Sequence, residues 1–153
     1  MSTRKAVPWQ ILLIEDNDDH AELMEFYLGE CVADLAVKRL SDGDAAMRYL
    51  KAVHAGDQPM PWLILLDLKL PKYDGHEILA YVKNTGPISK IPVVVFTTSD
   101  SSKDISRALE NHANSYITKP MEPDRYGVVI GEMLAYWKLN QHALALAKAE
   151  RDA

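Results

Sequence analysis

Asp67 closes a run of five apolar residues, Trp62 to Leu66, and is followed by Lys69, Pro71 and the turn Tyr73-Asp74-Gly75. Such a run reads as a strand buried on both faces. A carboxylate at its end is costly unless it is paired, because burying a lone charge is strongly unfavourable. At the carboxyl edge of a parallel sheet, however, it stands where open α/β sheets bind their ligands. Asp67 is read as a nucleophile that takes a phosphoryl group. The competing reading is a cap or loop carboxylate just past a strand. Three other strand ends carry related groups. Gln10 to Ile14 runs into Glu15-Asp16-Asn17-Asp18-Asp19, Ile91 to Phe96 into Thr97-Thr98-Ser99-Asp100, and Ser115 to Thr118 into Lys119-Pro120. Asn17, Asp18 and Asp19 are explained by capping and by the positive end of a following helix. Glu15 and Asp16 precede the cap and are not.

Three carboxylates in one crevice disfavour one another's ionisation unless a cation joins them. Mg²⁺ is one such partner, since it prefers oxygen ligands, and Lys119 is the other. Phosphoryl transfer needs an in-line nucleophile, neutralised charge and donors to the equatorial oxygens. Asp67 supplies the attack. Asp16 and Asp67 are expected to hold Mg²⁺, with Glu15 acting through water. Lys119 and Thr97 are left to hold the remaining phosphoryl oxygens. The five histidines, His20, His54, His76, His112 and His142, show no metal-ligand spacing, and each reads as a surface residue.

The elements that must bring these ends together follow from periodicity. Ala21, Met24, Tyr27 and Leu28 have helical spacing before Gly29. Leu35 to Leu40 is a second strand, and Ala46, Met47 and Leu50 mark a second helix. Ile78, Leu79 and Val82 mark a third, stopped at Asn84-Thr85-Gly86-Pro87. A polar helix over about 102–111 and a long C-terminal helix from near Pro123 complete five β-α units. The expected fold is a doubly wound five-stranded parallel sheet, order 2-1-3-4-5, with helices on both faces and right-handed crossovers. That order makes the first and third strands neighbours, so Glu15, Asp16 and Asp67 meet. The expected division is a leader over 1–8, one domain over 9–138 and a helical arm over 139–153.

The chain has 153 residues and a net charge of −5, which argues against a nucleic-acid surface built on clustered Lys and Arg. Its single cysteine, Cys31, excludes an internal disulfide and reads as a small buried hydrophobe in a reducing cytoplasm. No apolar run approaches a membrane span of about 20 residues.

Taken together, Glu15-Asp16, Asp67, Pro71 with Asp74-Gly75, Thr97 and Lys119-Pro120, in order at successive strand ends, resemble the receiver domain of two-component response regulators over residues 9–138. The flavodoxin-like receiver fold is what this resemblance implies. It also implies that Asp67 is phosphorylated from a histidine kinase, with Mg²⁺ bound, and that the chain is a phosphoacceptor assisting its own transfer and hydrolysis rather than a turnover enzyme. The Lys69 carbonyl would complete the metal site, and the Lys119–Pro120 bond would be cis. Thr97 and Tyr116 would form the switch that alters the surface of the fourth helix, fifth strand and fifth helix. Ile14-Glu15-Asp16-Asn17, Leu65-Leu66-Asp67-Leu68, Thr97-Thr98-Ser99, Ala113-Asn114-Ser115-Tyr116 and Tyr136-Trp137 are similar to single-domain regulators paired with cyanobacterial and bacterial phytochrome kinases.

A fifth helix needs about 15 to 18 residues to cross such a domain, and the chain offers more. Ile130, Leu134, Trp137, Gln141 and Leu144 lie at 3–4 spacing, so Leu134, Trp137 and Leu144 are expected to build a twofold dimer contact. A phosphorelay sink and an interaction-only pseudo-receiver are alternatives. An aspartate-nucleophile phosphohydrolase would want an acid where Lys69 stands. A flavin-binding relative would not place five polar, mostly acidic residues after the first strand.

Overall fold

The computed structural model describes residues 9–152, with side chains through residue 140. The expected leader over 1–8 and the side chain of Leu144 lie outside the described residues. Five strands, β1 (Trp9–Ile14), β2 (Leu35–Leu40), β3 (Leu63–Leu66), β4 (Val93–Thr97) and β5 (Ser115–Thr118), form one parallel sheet. Its order is β2-β1-β3-β4-β5, the expected one of the standard doubly wound orders. The helices are α1 (Asp18–Cys31), α2 (Gly43–His54), α3 (Gly75–Lys83), α4 (Ser102–Glu110) and α5 (Tyr126–Asp152).

The two faces of the sheet feed two cores, and the strand period of two assigns each residue to one of them. Ile11 and Leu13 of β1 join Leu63, Leu65 and Phe96 beneath Met24 and Leu28 of α1 and Ile130, Leu134 and Trp137 of α5. Leu12 and Ile14 point the other way, to Ile64, Leu66, Leu50 of α2, Ile78 and Leu79 of α3 and Ala108 of α4. The central strands are buried on both sides, while β2 and β5 at the edges are largely half-exposed. This is why the central strands read as unbroken apolar runs.

The starts of α1 to α4 are each held by a side chain that accepts an otherwise unpaired N–H. Asn17 accepts from His20, Asp42 from Ala45, Asp74 from His76 and Ser101 from Asp104. A small hairpin, Lys69–Leu70 with Tyr73–Asp74, follows Asp67. Its turn carries Pro71 and then Lys72 at φ 58°, where glycine is usual.

Four expectations change. Leu134 and Trp137 are buried against α1 and the sheet rather than free for a partner, because their spacing lies on the inward stripe of α5. Cys31 is exposed, at the last turn of α1. Lys119–Pro120 is trans, the lower-energy form of an X-Pro bond. The C-terminal helix begins only at Tyr126, after a 3₁₀ turn at Pro123–Arg125.

Candidate functional site

Register decides what meets at the carboxyl edge. Ile14 pairs with Leu66 and Leu66 with Val95, so the residues just beyond them share one rim. The Asp67 N–H donates to the Ile14 carbonyl at 3.0 Å, which places Asp67 beside Glu15. The Lys119 N–H donates to the Thr97 carbonyl at 2.7 Å and brings the lysine to the same rim from β5. Arg39 of β2 donates to the carbonyls of Glu15 and Asp16 at 3.1 and 3.2 Å and pairs with Asp18 at 2.8 Å, so the acidic turn is pinned from outside.

Asp67 is almost fully buried and carries three donors. The Thr97 hydroxyl donates to Oδ1 at 2.8 Å, the Lys69 N–H donates to the same oxygen at 3.1 Å, and Lys119 Nζ donates to Oδ2 at 2.9 Å. Lys119 Nζ also stands 2.5 Å from Glu15 Oε1. Burial works against the Lys119 charge, but Asp67 and Glu15 outweigh it and hold the ammonium above the ordinary lysine range. Burial, reinforced by repulsion from Asp67, pushes the Glu15 carboxyl above its ordinary range, although Lys119 pulls the other way. The crevice is therefore one positive charge against several negative ones, a state that a further cation would relieve.

Glu15, Asp16 and Asp67 offer carboxylate oxygens that lie within 4.8 Å of one another. Glu15 Oε1 is buried against the Lys119 ammonium, and Oε2 accepts from the Asn17 N–H at 3.2 Å. Three hard oxygen donors so gathered fit a divalent cation of the Mg²⁺ type. The Lys69 backbone runs beside this set, its N–H donating to Asp67 Oδ1.

The structure thus brings together Glu15, Asp16, Asp67, Lys69, Thr97 and Lys119. Tyr116 stands just behind: its hydroxyl donates to the Ser99 carbonyl at 2.7 Å, which ties β5 to the loop after β4. Two histidines read as lone surface residues have partners instead, one half-buried and one buried. His20 Nδ1 lies 2.9 Å from Lys119 Nζ. His76 is buried, with Nε2 3.0 Å from Asp104 Oδ1. Asp104 Oδ2 in turn accepts from the Ser99 hydroxyl at 2.5 Å. Neither contact has a local sequence signal, since the partners lie 99 and 28 positions apart.

The comparisons agree with this geometry. Residues 11–130 match the response regulator receiver domain family. A probable methanogenesis regulatory protein, FilR2 of Methanothrix harundinacea, is 42% identical over 130 residues, covering 85% of this chain and 84% of that protein. Response regulator Rcp1 of Synechocystis is 42% identical over 120 residues, covering 78% of this chain and 82% of that one. The crystal structure of Mn²⁺-bound Rcp1 superposes with a TM-score of 0.78 at 37% identity, covering 85% of this chain and 94% of that chain. The phosphorylated cyanobacterial phytochrome response regulator RcpA gives 0.79 at 35% identity, covering 84% and 93%. With these likenesses and with its acids, threonine and lysine converging on one buried aspartate, the chain belongs to the response regulator receiver domains of two-component signalling.

Proposed function

We propose that Asp67 accepts a phosphoryl group from a phosphohistidine of a sensor histidine kinase in the cytoplasm, in a Mg²⁺-dependent reaction, and that the kinase is a bacteriophytochrome. The observation that carries the first part is the set of donors already converged on the Asp67 carboxylate from Thr97, Lys69 and Lys119. An Asp67 oxygen forms the new bond to phosphorus while the phosphorus–nitrogen bond breaks, and the imidazole nitrogen keeps the electron pair. Lys119 and the Thr97 hydroxyl then turn from the carboxylate to the phosphoryl oxygens. Glu15, Asp16, Asp67 and the Lys69 backbone would hold Mg²⁺, which when bound neutralises charge on those oxygens.

As Thr97 swings inward, Tyr116 releases Ser99 and follows. The outcome is a shift in population of the α4-β5-α5 surface. Leu109 of α4 and Val128, Tyr136 and Leu139 of α5 stand exposed, and we assign to this face and to the end of α5 a twofold dimer. Likeness to RcpA and to the bacteriophytochrome response regulator AtBRR, 37% identical with a TM-score of 0.64, supports the choice of kinase.

Incubation with acetyl phosphate, with and without Mg²⁺, followed by intact mass measurement beside Asp67→Asn, tests the chemistry. One phosphoryl adduct is expected, dependent on Mg²⁺ and absent from the variant. An adduct that survives in the variant would place the acceptor elsewhere. Transfer from a labelled bacteriophytochrome kinase should outpace transfer from an unrelated kinase; equal rates would remove the phytochrome pairing and leave the acceptor intact.

A further inference from the structure

The Lys119 ammonium has a neighbour that the acid cluster does not explain. We propose that His20 is a positioning residue for Lys119, its Nδ1 taking one ammonium N–H and so fixing where the charge stands between Asp67 and Glu15. The proposal rests on the reading of Asp67 as phosphoacceptor.

The contact is specific in its chemistry. An ammonium only donates, so the 2.9 Å approach of Lys119 Nζ requires a bare Nδ1 on His20, with the proton on Nε2. A protonated ring would set two donors and two like charges face to face. Burial, and after it the Lys119 charge, hold His20 below the ordinary histidine range. The groups around the ring are Lys119, Asp67, Asp16 and Asp19, with Tyr126 of α5 at 6.4 Å between ring centres; the three carboxylates pull toward protonation and do not prevail.

His20 is also held in place. It lies in the first turn of α1, where its N–H donates to the Asn17 cap at 3.0 Å. The ring is therefore presented from a rigid element, whereas a lysine side chain has four rotatable bonds and its own choice of position. Lys119 is drawn toward two carboxylates, Asp67 Oδ2 at 2.9 Å and Glu15 Oε1 at 2.5 Å. On phosphorylation it must leave Asp67 for a phosphoryl oxygen. An anchor on the α1 side keeps the ammonium near the rim during that move and opposes its collapse onto Glu15. No bond or proton changes at His20; its contribution is orientation.

The test is a double-mutant cycle with an independent spectroscopic readout. Phosphoryl uptake from acetyl phosphate with Mg²⁺ is timed by intact mass for the full chain, His20→Ala, His20→Asn, Lys119→Ala and His20→Ala with Lys119→Ala. His20→Ala should slow uptake roughly 3- to 10-fold, as loss of one ordinary, partly solvated hydrogen bond would. His20→Asn places an amide oxygen where Nδ1 stood and should recover most of the rate. In the Lys119→Ala background, His20→Ala should change nothing further. Imidazole ¹⁵N spectra of the unaltered protein near neutral pH should show His20 as the Nε2–H tautomer. An Nδ1–H tautomer, an unchanged rate in His20→Ala, or equal slowing with and without Lys119 would each overturn the proposal. If the unaltered chain takes up no phosphoryl group, the reading of Asp67 fails, and the tautomer alone then decides the His20–Lys119 contact.

Discussion

Asp104 shows how a single carboxylate couples the loop behind the site to the helices. It accepts from the Ser99 hydroxyl and lies 3.0 Å from His76, and both contacts favour its charged form. The Ser99 bond first and the His76 bond second lower its pKa from the usual 3.8 to about 2. The folded value lies below the unfolded one, so the unfolded chain binds the proton more readily. The stability Asp104 contributes is therefore fully present above about pH 3.8 and is lost as pH falls through about 2. Asp104→Asn should cost about 1 to 2 kcal/mol at neutral pH, a figure that allows for solvent screening of a partly exposed carboxylate. In urea unfolding followed from pH 7 to 2, the gap between the two proteins should close between pH 4 and 2; a constant gap would show that the charge is not the cause. The same residues mark the limit of sequence reading at this scale. Asp67, Glu15, Asp16, Thr97 and Lys119 were legible because each stands at a strand end, where the chain itself announces the position. His20, His76 and Asp104 sit on helices, and their partners are decided by side-chain direction across long sequence separations.

Among the elements, the hairpin after Asp67 and the start of α3 set the position of the acceptor. Gly75 opens α3 against the chain that has just left β3. A Cβ there would lie 2.6 Å from Leu68 Cα and 2.7 Å from the Asp67 carbonyl oxygen, both backbone atoms that cannot swing aside. The glycine is required by this close approach rather than by its dihedral angles. Gly75→Ala should push the Asp67–Leu68 peptide outward, costing about 1 to 3 kcal/mol of stability as overpacking does. It should also slow phosphoryl uptake, because Asp67 moves with its peptide. Urea unfolding and timed intact mass measure the two effects, and a variant equal to the parent in both would refute the close-approach account. Sequence periodicity placed the five strands and the helices, since runs such as Leu63 to Leu66 and spacings such as Ala21, Met24 and Leu28 are imposed by burial. It missed the hairpin, whose strands are two residues each, too short for any period to show.

At the scale of the whole molecule, α5 is the element that reaches past the fold. It has 27 residues, and among those whose side chains are described, through residue 140, the buried ones are Tyr126, Ile130, Met133, Leu134 and Trp137. From Lys138 to Asp152 the helix continues roughly 20 Å further. Trp137 and Leu134 serve the chain's own core, so a dimer must use what lies outward: Val128, Tyr136 and Leu139, which are 62%, 60% and 72% exposed. These positions follow the spacing of one helix face, and apolar groups so arranged gain by leaving water together. A chain ending at Asn140 keeps every buried position described for α5 and should unfold at the same urea concentration as the full chain. In equilibrium sedimentation the full chain should be a dimer at micromolar concentration and the shortened one a monomer. Two monomers would end the dimer proposal. Two dimers would show that the exposed face before Asn140 suffices and that the last turns of α5 take no part in it.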